Sequence, residues 1–172
     1  QGYHYSKKSD FQKGLELNKQ ALSIAEQADD PKVLLRVVNS LGRSYSFVAE
    51  FDSSSMYLQR AIDIEREELE ADARKIFELH TNIGNNYGRS GQIQEAIQEF
   101  EKGLALMLAE QDSNGICHSY RSIATAHYYS GSYPEALEFL HKAVKLLEGS
   151  RLHDDQVANL DFLGEVYFTI ED

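Results

Sequence analysis

Six histidines, at positions 4, 80, 118, 127, 141 and 153, are the side chains of this sequence best suited to holding a metal or moving a proton near neutral pH. A helical zinc site sets two histidines four residues apart with a glutamate between them, and no H-E-x-x-H and no i, i+4 histidine pair occurs. Glycine-rich phosphate loops and nucleophile elbows are absent as well. Cys117, the single cysteine, stands near the start of a helical segment, where a thiol can be activated. It has no basic partner in sequence, so a packed, inert thiol is expected. These residues assemble no catalytic constellation, and the expectation is a protein with no enzymatic activity, no metal and no cofactor.

Charge narrows the partners. With 28 Asp and Glu against 17 Lys and Arg, the formal net charge is -11, which repels phosphate backbones and anionic membrane surfaces. Neither a nucleic acid nor a membrane is expected as a partner. The chain of 172 residues is 42% hydrophobic and 26% charged, the balance of a folded domain, and its longest apolar stretch, around Gly103 to Ala109, is too short to span a bilayer. A lone cysteine forms no internal disulfide, which favours a reducing, cytoplasmic setting. There is no initiator Met and no basic-then-apolar leader, so the sequence reads as a segment of a longer protein.

The elements that position these residues are helices. Only Pro31 and Pro134 interrupt the chain, and apolar residues recur every three or four positions. The sequence also repeats. Leu41-Gly42 with Tyr45 returns as Ile83-Gly84 with Tyr87, Ile123-Ala124 with His127, Leu163-Gly164 with Tyr167, and at the start as Gly2 with Tyr5. The glycine column steps by 40, 42, 40 and 40 residues. A second column holds Gly14, Ser54, Ala96 and Ala136, and a third holds Ala21, Ala61, Gly103 and Ala143. All thirteen positions are Gly, Ala or Ser within helices that otherwise carry large residues.

Small residues at fixed spacing let two helix axes approach; each unit is therefore expected to be an antiparallel pair, helix A and helix B, in contact along these columns. Large residues between the columns, such as Leu58, Ile62 and Ile64 or Phe100, Leu104 and Leu106, fill the remaining space. Asp30 before Pro31 predicts a capped helix start. The A-to-B turns are expected at Ser9, Ala49, Gly91 and Gly131. The run from Asp63 to Glu70, with five acids, reads as a solvated face. His127, in the column otherwise held by tyrosine, is expected to pack against the adjacent hairpin.

The pattern L-G-x2-Y, then a turn glycine, a bulky apolar residue and two small positions, resembles the tetratricopeptide repeat. The resemblance spans the chain as one array of units at about 1–29 (partial), 30–70, 71–110, 111–150 and 151–172 (partial). It implies an all-α, right-handed superhelical solenoid of antiparallel helix pairs. The family's proline at the end of helix B is missing, and a period near 40 rather than 34 residues makes each hairpin longer.

The same resemblance implies that helix A lines a concave groove and that function lies there. In the family's register the groove residues are Arg36, Asn39, Arg43 and Phe47, then Thr81, Asn82, Asn85 and Arg89, then His118, Arg121, Thr125, Tyr128 and Tyr129. Arginine forks suit carboxylates and asparagine amides pair with an extended backbone, so a protein or peptide with acidic residues or a free C-terminus is the expected partner. The family's two-carboxylate clamp is not matched: Asn82 fits its middle element, but Asn39, Arg43, His118 and Ser122 replace the required Lys, Asn, Lys and Arg. The leading expectation is a non-catalytic peptide-binding scaffold. The alternative is a sensory or regulatory arm, since the acidic starts Asp29-Asp30-Pro31 and Gln111-Asp112-Ser113 resemble those of bacterial signalling proteins, where such arrays bind peptides or dimerise. Homodimers through the end faces are the third expectation.

Overall fold

The computed structural model describes residues 2–148 and 153–171, with the side chains of 11–148 and 154–171. Among the described residues there are eight α-helices and no strands. They group into two compact units, Gln1–Asp72 and Ala73–Asp172.

The first unit holds α1 (Gly2–Ala25), α2 (Pro31–Phe47) and α3 (Phe51–Glu67), with α2 packed on both neighbours. Helix α2 starts as its sequence predicts: the Asp30 carboxylate accepts hydrogen bonds from the amides of Lys32 and Val33, and Pro31 stands in the first turn. Ala49, between α2 and α3, has φ +64°, the left-handed conformation that glycine adopts at the equivalent turns. Two expectations fail here. No turn occurs at Ser9, because α1 runs unbroken from Gly2. The segment Ser6–Asp10 has neither Gly nor Pro, and one isolated helical turn costs more to nucleate than to add to a following helix. The acidic run is not all solvated either: Glu65 is buried and accepts a hydrogen bond of 3.2 Å from the Asp72 amide. Asn18, at the position that Leu58, Phe100 and Leu140 hold in the later units, donates to Ser44 Oγ at 2.8 Å.

The second unit holds α4 (Ala73–Arg89), α5 (Ile93–Ala109), α6 (Ser113–Tyr129), α7 (Tyr133–Leu146) and α8 (His153–Glu171). Each packs on the next, and α4 also meets α6, as α6 meets α8. Gly91 and Gly131 turn the chain at φ +83° and +78°. Asp112 repeats the Asp30 cap, accepting from the amides of Asn114 and Gly115, after Gln111 at φ +56°.

The small columns are where helices A and B close on each other. A Cβ added to Gly42 would lie 2.8 Å from Leu58, one on Gly84 would lie 2.5 Å from the Phe100 ring, and one on Gly103 would lie 3.0 Å from Phe77. Ser54, Ala61, Ala96, Ala124, Ala136 and Ala143 are fully buried, or nearly so, in the same columns, and Ser54 Oγ donates to the Gly42 carbonyl at 2.6 Å. Gly14 and Gly164 depart from this, since a Cβ on either meets nothing within 4 Å. Gly115, outside all three columns, is closed by Met107, whose sulfur would lie 2.4 Å from an added Cβ.

Candidate functional site

The second unit contains an open cleft of about 480 Å3 lined by Arg74, Phe77, Glu78, Thr81 and Asn82 of α4, Asn114 and His118 of α6, and Asp155 of α8. All come from helices of the A type. The buried ring of Phe77 meets the His118 imidazole edge-on at 5.7 Å. Arg74 lies over that ring, 5.5 Å from its centroid. The polar lining combines the charged Arg74, Glu78 and Asp155 with the amides of Asn82 and Asn114, while Thr81 Oγ1 donates to the Phe77 carbonyl at 2.9 Å.

Both arginines near the cleft are paired. Arg74 bonds the Asp112 carboxylate, whose other oxygen caps α6, and lies 3.8 Å from Glu78. Burial would push the Asp112 carboxyl up, but the Gly115 amide and the Arg74 charge together hold it below the usual range. Arg121 donates to Asp155 at 3.1 Å. His118, held between them, has its pKa lowered by burial and then by the charges of Arg121 and Arg74, so its ring is neutral at pH 7. Its Nδ1 is buried and has no hydrogen-bond partner among the described residues.

The expected groove residues divide between the two units. In the first, Arg36 and Arg43 are exposed on α2 and form no ion pair among the described residues. Asn39 lies on the same face, three and four residues from them, with its Oδ1 buried and unbonded. In the second, Asn82, Thr81 and His118 line the cleft and Arg121 sits at its edge, whereas Asn85 and Arg89 are exposed outside its lining. Tyr128 is taken up by packing: its ring lies 5.5 Å from Phe162 and 5.8 Å from Tyr133, and its hydroxyl donates to Glu165 at 3.2 Å, which fastens α8 to α6. Tyr129 and Phe47 are exposed, Phe47 stacking on Phe11 at 5.5 Å.

Arg74, Phe77, Glu78, Asn114 and Asp155 escaped the groove reading of the sequence. They lie at the starts of three A helices, upstream of the positions the repeat register singles out, and only the approach of α4, α6 and α8 brings them together. A second polar site was also missed. His80 Nδ1 lies 2.7 Å from Glu99, which also accepts from Lys102 at 2.5 Å, and both His80 and Glu99 are buried. In the next hairpin the corresponding positions hold Tyr120 and Phe139, in ring contact at 6.0 Å, so a polar pair replaces an aromatic one. Burial raises the Glu99 pKa, and the His80 and Lys102 hydrogen bonds overcome this to leave it lowered. Cys117 is buried, and burial pushes its thiol up despite a 3.1 Å hydrogen bond from Asn159. That is the packed, unactivated thiol expected. His127 stacks on Phe139 at 5.8 Å, within its own hairpin rather than against the adjacent one. Among the described residues no group of three or more His, Cys, Asp or Glu is placed to hold a metal ion, and no helix is long and apolar enough to cross a membrane. The side chains of His4 and His153 lie outside the described residues.

Comparison with known proteins places this geometry. Two family models of the tetratricopeptide repeat match residues 77–106 and 116–148. No curated protein matches the sequence significantly. Solved structures match over nearly the whole chain. One is the putative kinesin light chain TPR-like repeats of Podosopora anserina, at 20% identity over 96% of this chain and 81% of that one, with a TM-score of 0.76. RapI in its apo form is 19% identical over 99% of this chain and 61% of its own, at a TM-score of 0.81. A signal transduction ATPase from Pyrococcus horikoshii, described as having a tetratricopeptide repeat sensor, is 16% identical over 95% of this chain but only 25% of its own, at 0.81. The chain thus spans less than two thirds of RapI and of the ATPase. The shared fold is the all-α solenoid of helix pairs that the columns of small residues implied, and residues 77–106 and 116–148 match the tetratricopeptide repeat.

Proposed function

We propose that this chain is a non-catalytic interaction module that holds an extended segment of a partner protein in the cleft of its second unit. The observation that carries the proposal is the lining itself: an aromatic floor, Phe77 and His118, bordered by the side-chain amides of Asn82 and Asn114. An asparagine amide pairs with both the N–H and the C=O of a peptide, so two of them can fix a backbone without demanding one sequence. Phe77 and the neutral face of His118 accept an apolar side chain beside it. Because Arg74 and Arg121 are already paired, acidic residues of a ligand are secondary: they reach Arg121 by exchange with Asp155. On the first unit, the exposed Arg36 and Arg43 offer acidic partners a separate surface. The free thiol of Cys117 fits a cytoplasmic setting.

The test begins with peptides selected from a random library on the whole chain. Replacing Asn82 and Asn114 together by Ala removes two backbone contacts and is expected to lower affinity at least about tenfold, from about 1 kcal/mol per hydrogen bond, with helix content unchanged. Selected peptides that bind the double variant as tightly as the parent would dismiss the cleft.

A second reading, a regulatory arm of a larger signalling protein, draws support from the likeness to the ATPase whose repeats are described as a sensor. In this chain α8 contributes Asp155 to the cleft and is fastened to α6 by Arg121 and Tyr128, so occupancy of the cleft and the seating of α8 are linked.

A further inference from the structure

Two histidines of the second unit have a buried ring nitrogen with no hydrogen-bond partner among the described residues, and they differ in what the rest of the ring meets. His80 is buried whole, its Nδ1 lying 2.7 Å from the Glu99 carboxylate and its Nε2 enclosed. It is closed to any ligand. His118 is half-buried, and its ring lines the cleft with Phe77, Asn82 and Asn114. Its Nδ1 is the enclosed nitrogen, which leaves Nε2 as the one that meets the cleft. That difference decides where the proton sits. A neutral imidazole has one N–H and one lone pair, and the partners of the two nitrogens determine which is which. A proton on Nδ1 would be a donor enclosed without an acceptor, since the Phe77 ring, edge-to-face with it at 5.7 Å, is at most a weak one. A lone pair there leaves an acceptor unfilled, the defect that folded proteins tolerate more often. Protonating both nitrogens would enclose the same donor and add a charge that burial, Arg121 and Arg74 oppose, while Asp155 favours it.

Other donors around the cleft are already engaged. Thr81 gives its hydroxyl proton to the Phe77 carbonyl, Arg74 is held by Asp112, and Arg121 by Asp155. Among the described lining residues this leaves the amides of Asn82 and Asn114 and the His118 ring. We infer that His118 is the Nε2–H tautomer and that it donates a hydrogen bond to a backbone carbonyl oxygen of the partner segment, a third residue that reads the backbone beside Asn82 and Asn114. The face of the ring still belongs to the apolar floor; its polar edge supplies the donor. A carbonyl rather than a carboxylate is the acceptor, because Glu78 and Asp155 already stand in the cleft and repel an anion, and the arginines that would offset them are paired. The donor role rests on the cleft being the binding site, as proposed above. The tautomer does not, since it is a property of the free chain.

The tautomer is read first, in the free chain with isotopically labelled histidine at neutral pH. Long-range proton–nitrogen correlation separates a protonated ring nitrogen from one with a lone pair, and the signals lost in His118→Phe identify the residue. The expected result is a proton on Nε2 and a lone pair on Nδ1. The reverse would overturn the inference and leave the cleft reading standing. Binding is then measured with the peptides selected on the whole chain. His118→Phe keeps an aromatic ring beside Phe77 but has no donor, and it is expected to weaken every peptide about fivefold, the loss of one hydrogen bond. His118→Gln, whose side-chain amide can donate from about the place of Nε2, is expected to bind within about twofold of the parent. Circular dichroism checks that both variants keep their helices. Undiminished binding by His118→Phe would remove the donor role, and equal losses in His118→Gln and His118→Phe would reduce the residue to packing. A loss confined to peptides with acidic residues would make the acceptor a carboxylate and contradict the assignment. If the parent chain retains no peptide, the donor role falls together with the cleft reading, whichever tautomer is found.

Discussion

At the scale of single residues, Ala49 and His118 show how local environment is written into stability. Ala49 occupies the turn conformation that Gly91 and Gly131 occupy at φ +83° and +78°, yet it carries a Cβ there. Ala49→Gly is therefore expected to stabilise the chain by roughly 0.5–1 kcal/mol, the left-handed penalty less the entropy glycine loses on folding, as read by chemical denaturation. Gly91→Ala should do the reverse. His118 gives a pH dependence whose sign follows from its surroundings. Burial and the charges of Arg121 and Arg74 place its pKa below the ordinary 6.5, so on acidification the unfolded chain takes up this proton before the folded one does. The His118 contribution is complete above 6.5 and is lost as pH falls toward the lowered value. Melting temperature should drop as pH falls below about 6.5 toward the lowered value, and His118→Gln should flatten that part of the profile. Glu99 and Asp112, lowered despite their burial because of His80 and Lys102 in one case and Gly115 and Arg74 in the other, lose their contributions further down, as pH falls through their folded values.

At the scale of helices, stability rests on the close approach of A to B. A side chain at Gly84 must enter space now held by Phe100, and Gly84→Leu is expected to cost about 1–3 kcal/mol in thermal or chemical unfolding. The same change at Gly164 should cost nothing comparable, because nothing stands over it. This contrast explains what could be read in advance. Helix pairs, turns and caps were legible because Gly, Ala, Ser and Pro recur at a period, and each constrains the backbone locally: Gly42, Gly84, Gly91, Gly131 and Asp30 all act as their spacing implied. The unbroken α1 was not, because the repeat pattern at Ser9 looks the same whether or not helix A is long enough to fold back. Buried polar groups were also hidden. Glu65 and the His80–Glu99 pair owe their burial to partners 7 and 19 residues away, and no spacing rule marks a charged residue as turned inward. Of the cleft, Thr81, Asn82 and His118 followed from the register, while Arg74, Phe77, Glu78, Asn114 and Asp155 required the packing of α4, α6 and α8. The acidic partner expected from the arginines is tempered at Arg121 for the same reason: Asp155 reaches that cation from another helix.

At the scale of the molecule, a net charge of -11 repels acidic ligands at a distance, and the cleft adds its own carboxylates, Glu78 and Asp155, to that field. Asp155 competes for Arg121 with any ligand carboxylate. A half-exposed pair of this kind is worth about 0.2–1 kcal/mol, so Asp155→Asn should raise affinity for peptides bearing an acidic residue by up to about fivefold and leave neutral peptides unchanged in calorimetric titration. The central claim is that the second unit receives a partner's backbone in its cleft. Backbone amide shifts of the isotopically labelled chain, recorded as a library-selected peptide is added, test this most directly. The account predicts that the shifting amides gather at Phe77 to Asn82 of α4, Asn114 to His118 of α6 and Asp155 of α8. Shifts confined to α5 and α7, or a chain that retains no peptide from the library, would contradict it.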